Sequence, residues 1–173
     1  MKYSVYLSPS TQERNIGVGD YGTEEKRMNE ISDMVKSVLQ KYGIKIYRNN
    51  PLWDLRKVVE DSNLKKPDLH VAIHSNAGRG NGCEIFAYSV GSKGEKAAKV
   101  IYPEIERITP TKDRGIKYNT ELYELRKTKA PAVLVEIGFH DNVRDAVWIV
   151  DNIEVIGTAI AIGILKYFGI KRE

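Results

Sequence analysis

Three residues stand out for the chemistry their types and settings could support. Glu136 is flanked by Val135 and Ile137 within a run otherwise apolar from Ala130 to Phe139. A carboxylate in such a run is costly unless it is paired, protonated or put to use, which marks it as a candidate proton donor and acceptor. His74 closes the run LHVAIHS and precedes Ser75-Asn76-Ala77-Gly78. Those small residues leave an imidazole accessible, as a metal ligand or base requires. Glu25 falls in the first turn of an expected helix, where a Glu ordinarily serves the helix dipole. Each of the three has a plainer alternative as a satisfied structural group.

The other histidines are weighed against these. His70 precedes His74 by four, so on a strand the two share a face about 13 Å apart, too far for one metal. His70 therefore reads as a packed residue or one that backs the site. His140, in GFHDN, lies four residues past Glu136 where the strand gives way to a helix, within reach of the same rim. Cys83 is the single cysteine, which excludes an intramolecular disulfide and a multi-cysteine zinc site. Any metal here is held by His and carboxylate.

The elements that must position these groups follow from periodicity. YSVYL at 3–7 reads as a short strand, followed by a polar, Gly-rich loop to Gly22. Met28, Ile31, Val35 and Val38 fit one face of a helix, with Thr23 as N-cap and Gly43 at its end. IKIYR at 44–48 and an amphipathic segment near 53–62 come next. LHVAIHS at 69–75 and AVLVEIG at 132–138 read as central strands, with CEIFAYS at 83–89 between them. A helix around 93–108 should be kinked or restarted by Pro103, and two helices close the chain, near 142–150 and 153–168. The alternation predicts a single α/β domain with a mostly parallel mixed sheet of about six strands and helices on both faces. Ligands then bind beyond the carboxyl ends of the strands, where His74, Glu136 and Glu25 can converge.

Composition sets the bounds. At 173 residues, with 42% hydrophobic and 29% charged, the chain suits one domain with one sizeable core. A net charge of +4 is a mild bias toward anionic surfaces, and no basic stripe, aromatic platform or recognised motif points to nucleic acid. No apolar h-region opens the sequence and no stretch approaches the roughly 20 apolar residues of a membrane span. Membrane insertion is therefore not expected, and a monomer is.

The segments YSVYLSPS, TEEKRMNEI, PDLHVAIHSNAG, RGIKYNTELYELRKTKAPAVLVEIGFHDN and AIAIGILKYFGI together resemble the zinc-dependent N-acetylmuramoyl-L-alanine amidases of the amidase-3 type, found in bacterial autolysins and phage endolysins. The resemblance covers nearly the whole chain, and AIHSNA followed by PAVLVEIGF is its most specific part. It implies zinc as cofactor, peptidoglycan as substrate, and cleavage of the amide between N-acetylmuramic acid and L-alanine. It implies His74 and Glu25 as zinc ligands, with Glu24 as the competing choice, and Glu136 as catalytic acid and base; Asn76 is a candidate substrate contact, and His140 either a substrate contact or a group that backs the site. The family's third ligand is a His in the loop after the first strand, and the loop SPSTQERNIGVGDYG has none. Arg14 stands at the expected place, with Thr11 as the alternative position, and an Arg offers only hydrogen-bond donors. A wall-binding module that has lost catalysis is the alternative. The resemblance also implies residues 1–173 as the catalytic domain, with a C-terminal wall-binding domain outside this chain, and release to the cell wall by phage lysis or another route not needing a signal peptide.

Overall fold

The computed structural model describes residues 2–171. Six strands form one sheet in the order β2 (Lys45–Arg48), β1 (Ser4–Pro9), β3 (Leu69–Asn76), β6 (Ala132–Phe139), β4 (Cys83–Ala87), β5 (Asp113–Tyr118). β2, β1, β3 and β6 run parallel, β4 is antiparallel to β6, and β5 is parallel to β4. The expected architecture is therefore the observed one. α1 (Glu24–Lys41), α3 (Lys93–Glu106) and α6 (Ile153–Tyr167) cover one face, joined by α5 (Val143–Asp151). The opposite face carries α2 (Leu55–Lys65) and the short α4 (Tyr123–Lys127). Among the described residues no single helix is long and apolar enough to cross a membrane.

The two faces differ in what they bury, and the period-2 alternation of strand side chains explains how. Odd positions, including Leu7, Val71, Ile73, Val133, Val135 and Ile85, point into the main core beneath α1, α3 and α6. Even positions face α2 and α4, where only Ala72, Leu125, Ala132 and Leu134 form a small apolar cluster. Tyr6 pairs in register with His70, and His70 with Ala132; His74 pairs with Glu136, and Glu136 with Glu84. The polar residues embedded in the central strands thus share the thinly covered face.

Local signals held at most helix ends. Thr23 caps α1 by accepting from the Lys26 N–H at 3.2 Å, and Asn142 caps α5 by accepting from Arg144 and Asp145. α3 does not restart at Pro103 but runs through it as one helix. The carbonyl that Pro103 leaves without an amide partner is that of Lys99, an exposed residue whose backbone water can satisfy. Strand β5 and helix α4, within the motif segments but without a periodic apolar signal of their own, complete the sheet edge and the cover of the thin face.

One buried carboxylate ties the site end of the sheet together. Asp145 accepts from the Gly82 N–H at 2.7 Å, the Phe139 N–H at 2.9 Å and the Thr111 hydroxyl at 2.7 Å. Gly82 must be glycine, since its φ of 94° is left-handed and a Cβ would collide with the Lys112 carbonyl. Asp145→Ala strands two amides and a hydroxyl, and is expected to lower unfolding free energy by about 3 kcal/mol in urea denaturation. A loss under about 1 kcal/mol would show that water replaces the carboxylate.

Candidate active site

A cleft of about 410 Å³ opens at the carboxyl ends of β1, β3 and β6, on the thin face. His74 and Glu136 line its floor, Ser8 to Gln12 one wall, and Leu55, Val58, Leu122 and Tyr123 the side toward α2 and α4; Glu124 and Leu134 complete it. The cleft stays open on this face because α4 is only five residues long and leaves the strand ends uncovered.

His74 faces a carboxylate at each ring edge. Its Nδ1 lies 2.9 Å from Glu24 Oε1, and its Nε2 lies 3.9 Å from Glu124 Oε2. Burial disfavours its charged form, but the facing carboxylates of Glu124 and Glu24 outweigh this and push it up to about 10. Glu24 is 1% exposed. Burial also opposes its charge, yet hydrogen bonds with His74, Asn15 and Ser10 hold it below the usual carboxylate range. The Asn15 amide donates to Glu24 Oε2 at 2.6 Å and the Ser75 N–H to Oε1 at 3.3 Å.

Glu136 behaves in the opposite sense. Burial, with repulsion from Glu24 and Glu84, raises it to about 8 against the pull of His74. Its Oε2 is buried and has no hydrogen-bond partner. A carboxyl held near neutrality beside ionised neighbours is suited to take and return a proton.

The structure corrects the placement expected of Glu25. Glu24, not Glu25, faces His74; Glu25 sits about 100° further round α1, half-buried, its carbonyl accepting from the Asn29 amide at 2.8 Å. The signal was present, since continuing the Met28–Ile31–Val35 stripe one turn back reaches Glu24. Arg14 is exposed and does not line the cleft; Ser10, Thr11 and Gln12 do.

His140 does not line the cleft, and of its two expected places its position fits the one behind the site. It is 4% exposed and its Nδ1 lies 2.9 Å from the Ser75 hydroxyl, which also bonds Tyr21 at 2.7 Å. Ser75 is an odd position of β3, so this chain of bonds runs under the main-core face, away from the cleft. Asn76 donates to Glu84 Oε1 at 2.9 Å and does not line the cleft. Glu84 also receives Arg114 at 2.9 Å and Lys117, a cluster that abuts Glu136 in the sheet. Glu124 was not anticipated, because a Glu in the polar segment LYELRK has no pattern to distinguish it.

The donors suit zinc in kind. An imidazole nitrogen and a carboxylate oxygen are its ordinary oxygen and nitrogen ligands. They stand 2.9 Å apart on a cleft that also holds the unpartnered Glu136 Oε2. Among the described residues no three His, Cys, Asp or Glu form a metal-binding group, so Glu24 and His74 make two donors of the three usual in a catalytic site.

The chain is similar to known proteins over nearly its whole length. A family described as N-acetylmuramoyl-L-alanine amidase, Amidase_3, matches residues 5–166. The N-acetylmuramoyl-L-alanine amidase CwlM of Bacillus licheniformis is 26% identical over 98% of the chain, and the germination-specific amidase of Bacillus subtilis 28% over 87%. The chain spans 70% and 66% of their lengths. Among solved structures, the amidase AmiC2 of Nostoc punctiforme is 26% identical with a TM-score of 0.87, covering 98% of both chains. The catalytic domain of CwlV from Bacillus (Paenibacillus) polymyxa shares the fold at a TM-score of 0.88 and 23% identity, covering 98% of this chain and 99% of that one.

Proposed function

Because the chain belongs to the N-acetylmuramoyl-L-alanine amidase family, we propose that it hydrolyses the amide joining N-acetylmuramic acid to L-alanine in peptidoglycan, acting at the bacterial cell wall with zinc as cofactor. The observation that carries the reading is the convergence of His74, Glu24 and the raised, unpartnered Glu136 on one open cleft.

Glu24 and His74 would hold the metal. Zinc, when bound, supplies Lewis-acid polarisation of a carbonyl and lowers the pKa of water toward about 7. In its ionised form Glu136 accepts the proton of the attacking water on Oε2, where no protein donor competes for the lone pairs, and returns it to the departing amine nitrogen. Leu55, Val58, Leu122 and Leu134 dry one side of the cleft, which strengthens every charge interaction inside it. The Asn15 amide, by occupying Glu24 Oε2, leaves Oε1 turned toward His74.

Digestion of purified peptidoglycan tests this directly. New L-alanine amino termini should appear by mass spectrometry of the released peptides, with glycan strands left intact. New reducing sugar ends without free L-alanine would overturn the assignment. A silent wall-binding module, the reading that the two-donor count favours, is opposed by the retention of His74 and Glu136 together in the cleft.

A further inference from the structure

Behind His74 runs a second line of buried polar groups that the reaction as described does not use. His70, fully buried, has both ring nitrogens engaged: Nδ1 lies 2.8 Å from the Ser62 hydroxyl and Nε2 lies 2.8 Å from Glu124 Oε1. Its ring stacks on Tyr6 with centroids 5.2 Å apart and planes 8° off parallel. The Tyr6 hydroxyl in turn donates to Asp61 at 3.0 Å. The imidazole therefore cannot swing, and it pins one oxygen of Glu124. The other oxygen of Glu124 faces His74 Nε2 at 3.9 Å.

We propose that Glu124 is a positioning residue for His74, and that the line Ser62–His70–Glu124 fixes the ring so that Nδ1 points at Glu24. The proposal rests on the reading of His74 as a site residue. Three features support it over a purely structural role. Glu124 meets the ring edge opposite Glu24, so it can orient the imidazole without competing for the same nitrogen. It lines the cleft beside His74 and Glu136, where an apolar side chain would have been cheaper to bury. And it links His70 to His74, which alone are too distant to interact directly. Carboxylates that hold the far nitrogen of a metal-binding imidazole set its orientation and basicity. At 3.9 Å the contact in this structure is electrostatic, one short of a hydrogen bond.

The test is Glu124→Gln, read three ways. Long-range proton–nitrogen spectra of the imidazoles in metal-depleted protein should show both His70 and His74 displaced. Zinc affinity, by competition with a chromophoric chelator, should fall about 10- to 100-fold. On cell walls kcat should fall by a similar factor with KM within about twofold, since orientation acts on the reacting geometry and not on wall contacts. A folded variant in which only His70 moves and zinc affinity is unchanged would overturn the proposal. Because Glu124→Gln can strand His70, the paired replacement His70→Phe with Glu124→Leu removes both buried polar groups and keeps the stack on Tyr6. It should show the same zinc and kcat losses; wild-type values in it would equally overturn the proposal. If the unaltered protein neither binds zinc nor releases L-alanine, the functional reading fails, while the imidazole spectra alone still decide whether Glu124 acts on His74.

Discussion

Glu136→Gln is expected to lower kcat on cell walls by about 10²- to 10⁴-fold, the range that a positioned acid and base contributes, while leaving wall binding intact. The same substitution should stabilise the fold at alkaline pH. The carboxyl of Glu136 is raised by burial to about 8 from an ordinary 4.5. Below about pH 4.5 it is protonated in both folded and unfolded chains and costs nothing. Between 4.5 and 8 the unfolded chain releases the proton and the folded one keeps it, so stability falls as pH rises. Above 8 the full penalty of a buried charge is present. One pKa unit is worth about 1.4 kcal/mol, and partial solvent contact of the side chain reduces the total to about 2 kcal/mol. Thermal melts of metal-depleted protein should therefore show the variant more stable than wild type at pH 8.5 and equal to it at pH 4. Retained turnover would remove Glu136 from the mechanism. An equal or lower melting temperature at pH 8.5 would show that its burial carries no cost.

A comparison of adjacent glutamates gives the second large effect. Glu24→Gln should weaken zinc binding by more than about 100-fold, beyond the loss typical of a partner that only supports a ligand, and should abolish turnover at micromolar zinc. Glu25→Gln should stay within about threefold of wild type in both, since its side chain lies off the inner stripe of α1. Chelator competition and amine release measure the two quantities on the same samples. The reverse ranking would return the ligand role to Glu25 and require α1 to rotate on binding.

Sequence and tertiary structure contributed differently at each of these positions. Glu136 and His74 were legible from one dimension because a charged or titratable group inside an apolar strand is a local anomaly. Alternation of elements pointed to a mostly parallel sheet with both groups at strand ends, while the strand order and the His74–Glu136 register pairing come from the tertiary structure. Helix ends at Thr23 and Asn142 were legible for the same local reason, a short polar side chain meeting free backbone amides. Whether Pro103 restarts the helix was not legible, because the cost of proline depends on whether water reaches the carbonyl it frees, which is a property of the surface.

What the sequence determined by itself is the set of elements and the two embedded groups at strand ends, since both depend on neighbours within a few residues. Only the tertiary structure decided which partners those groups have. Glu24 rather than Glu25 meets His74 because of the rotation of α1 on the sheet, and His140 turns to the main core because Ser75, an odd residue of β3, faces that way. Glu124 comes from 50 residues beyond His74, on a five-residue helix with no signal of its own. The convergence of His74, Glu136 and Glu25 read from strand ends became His74, Glu136 and Glu24, with Glu124 behind them, because side-chain meetings across a sheet are set by packing and not by spacing along the chain.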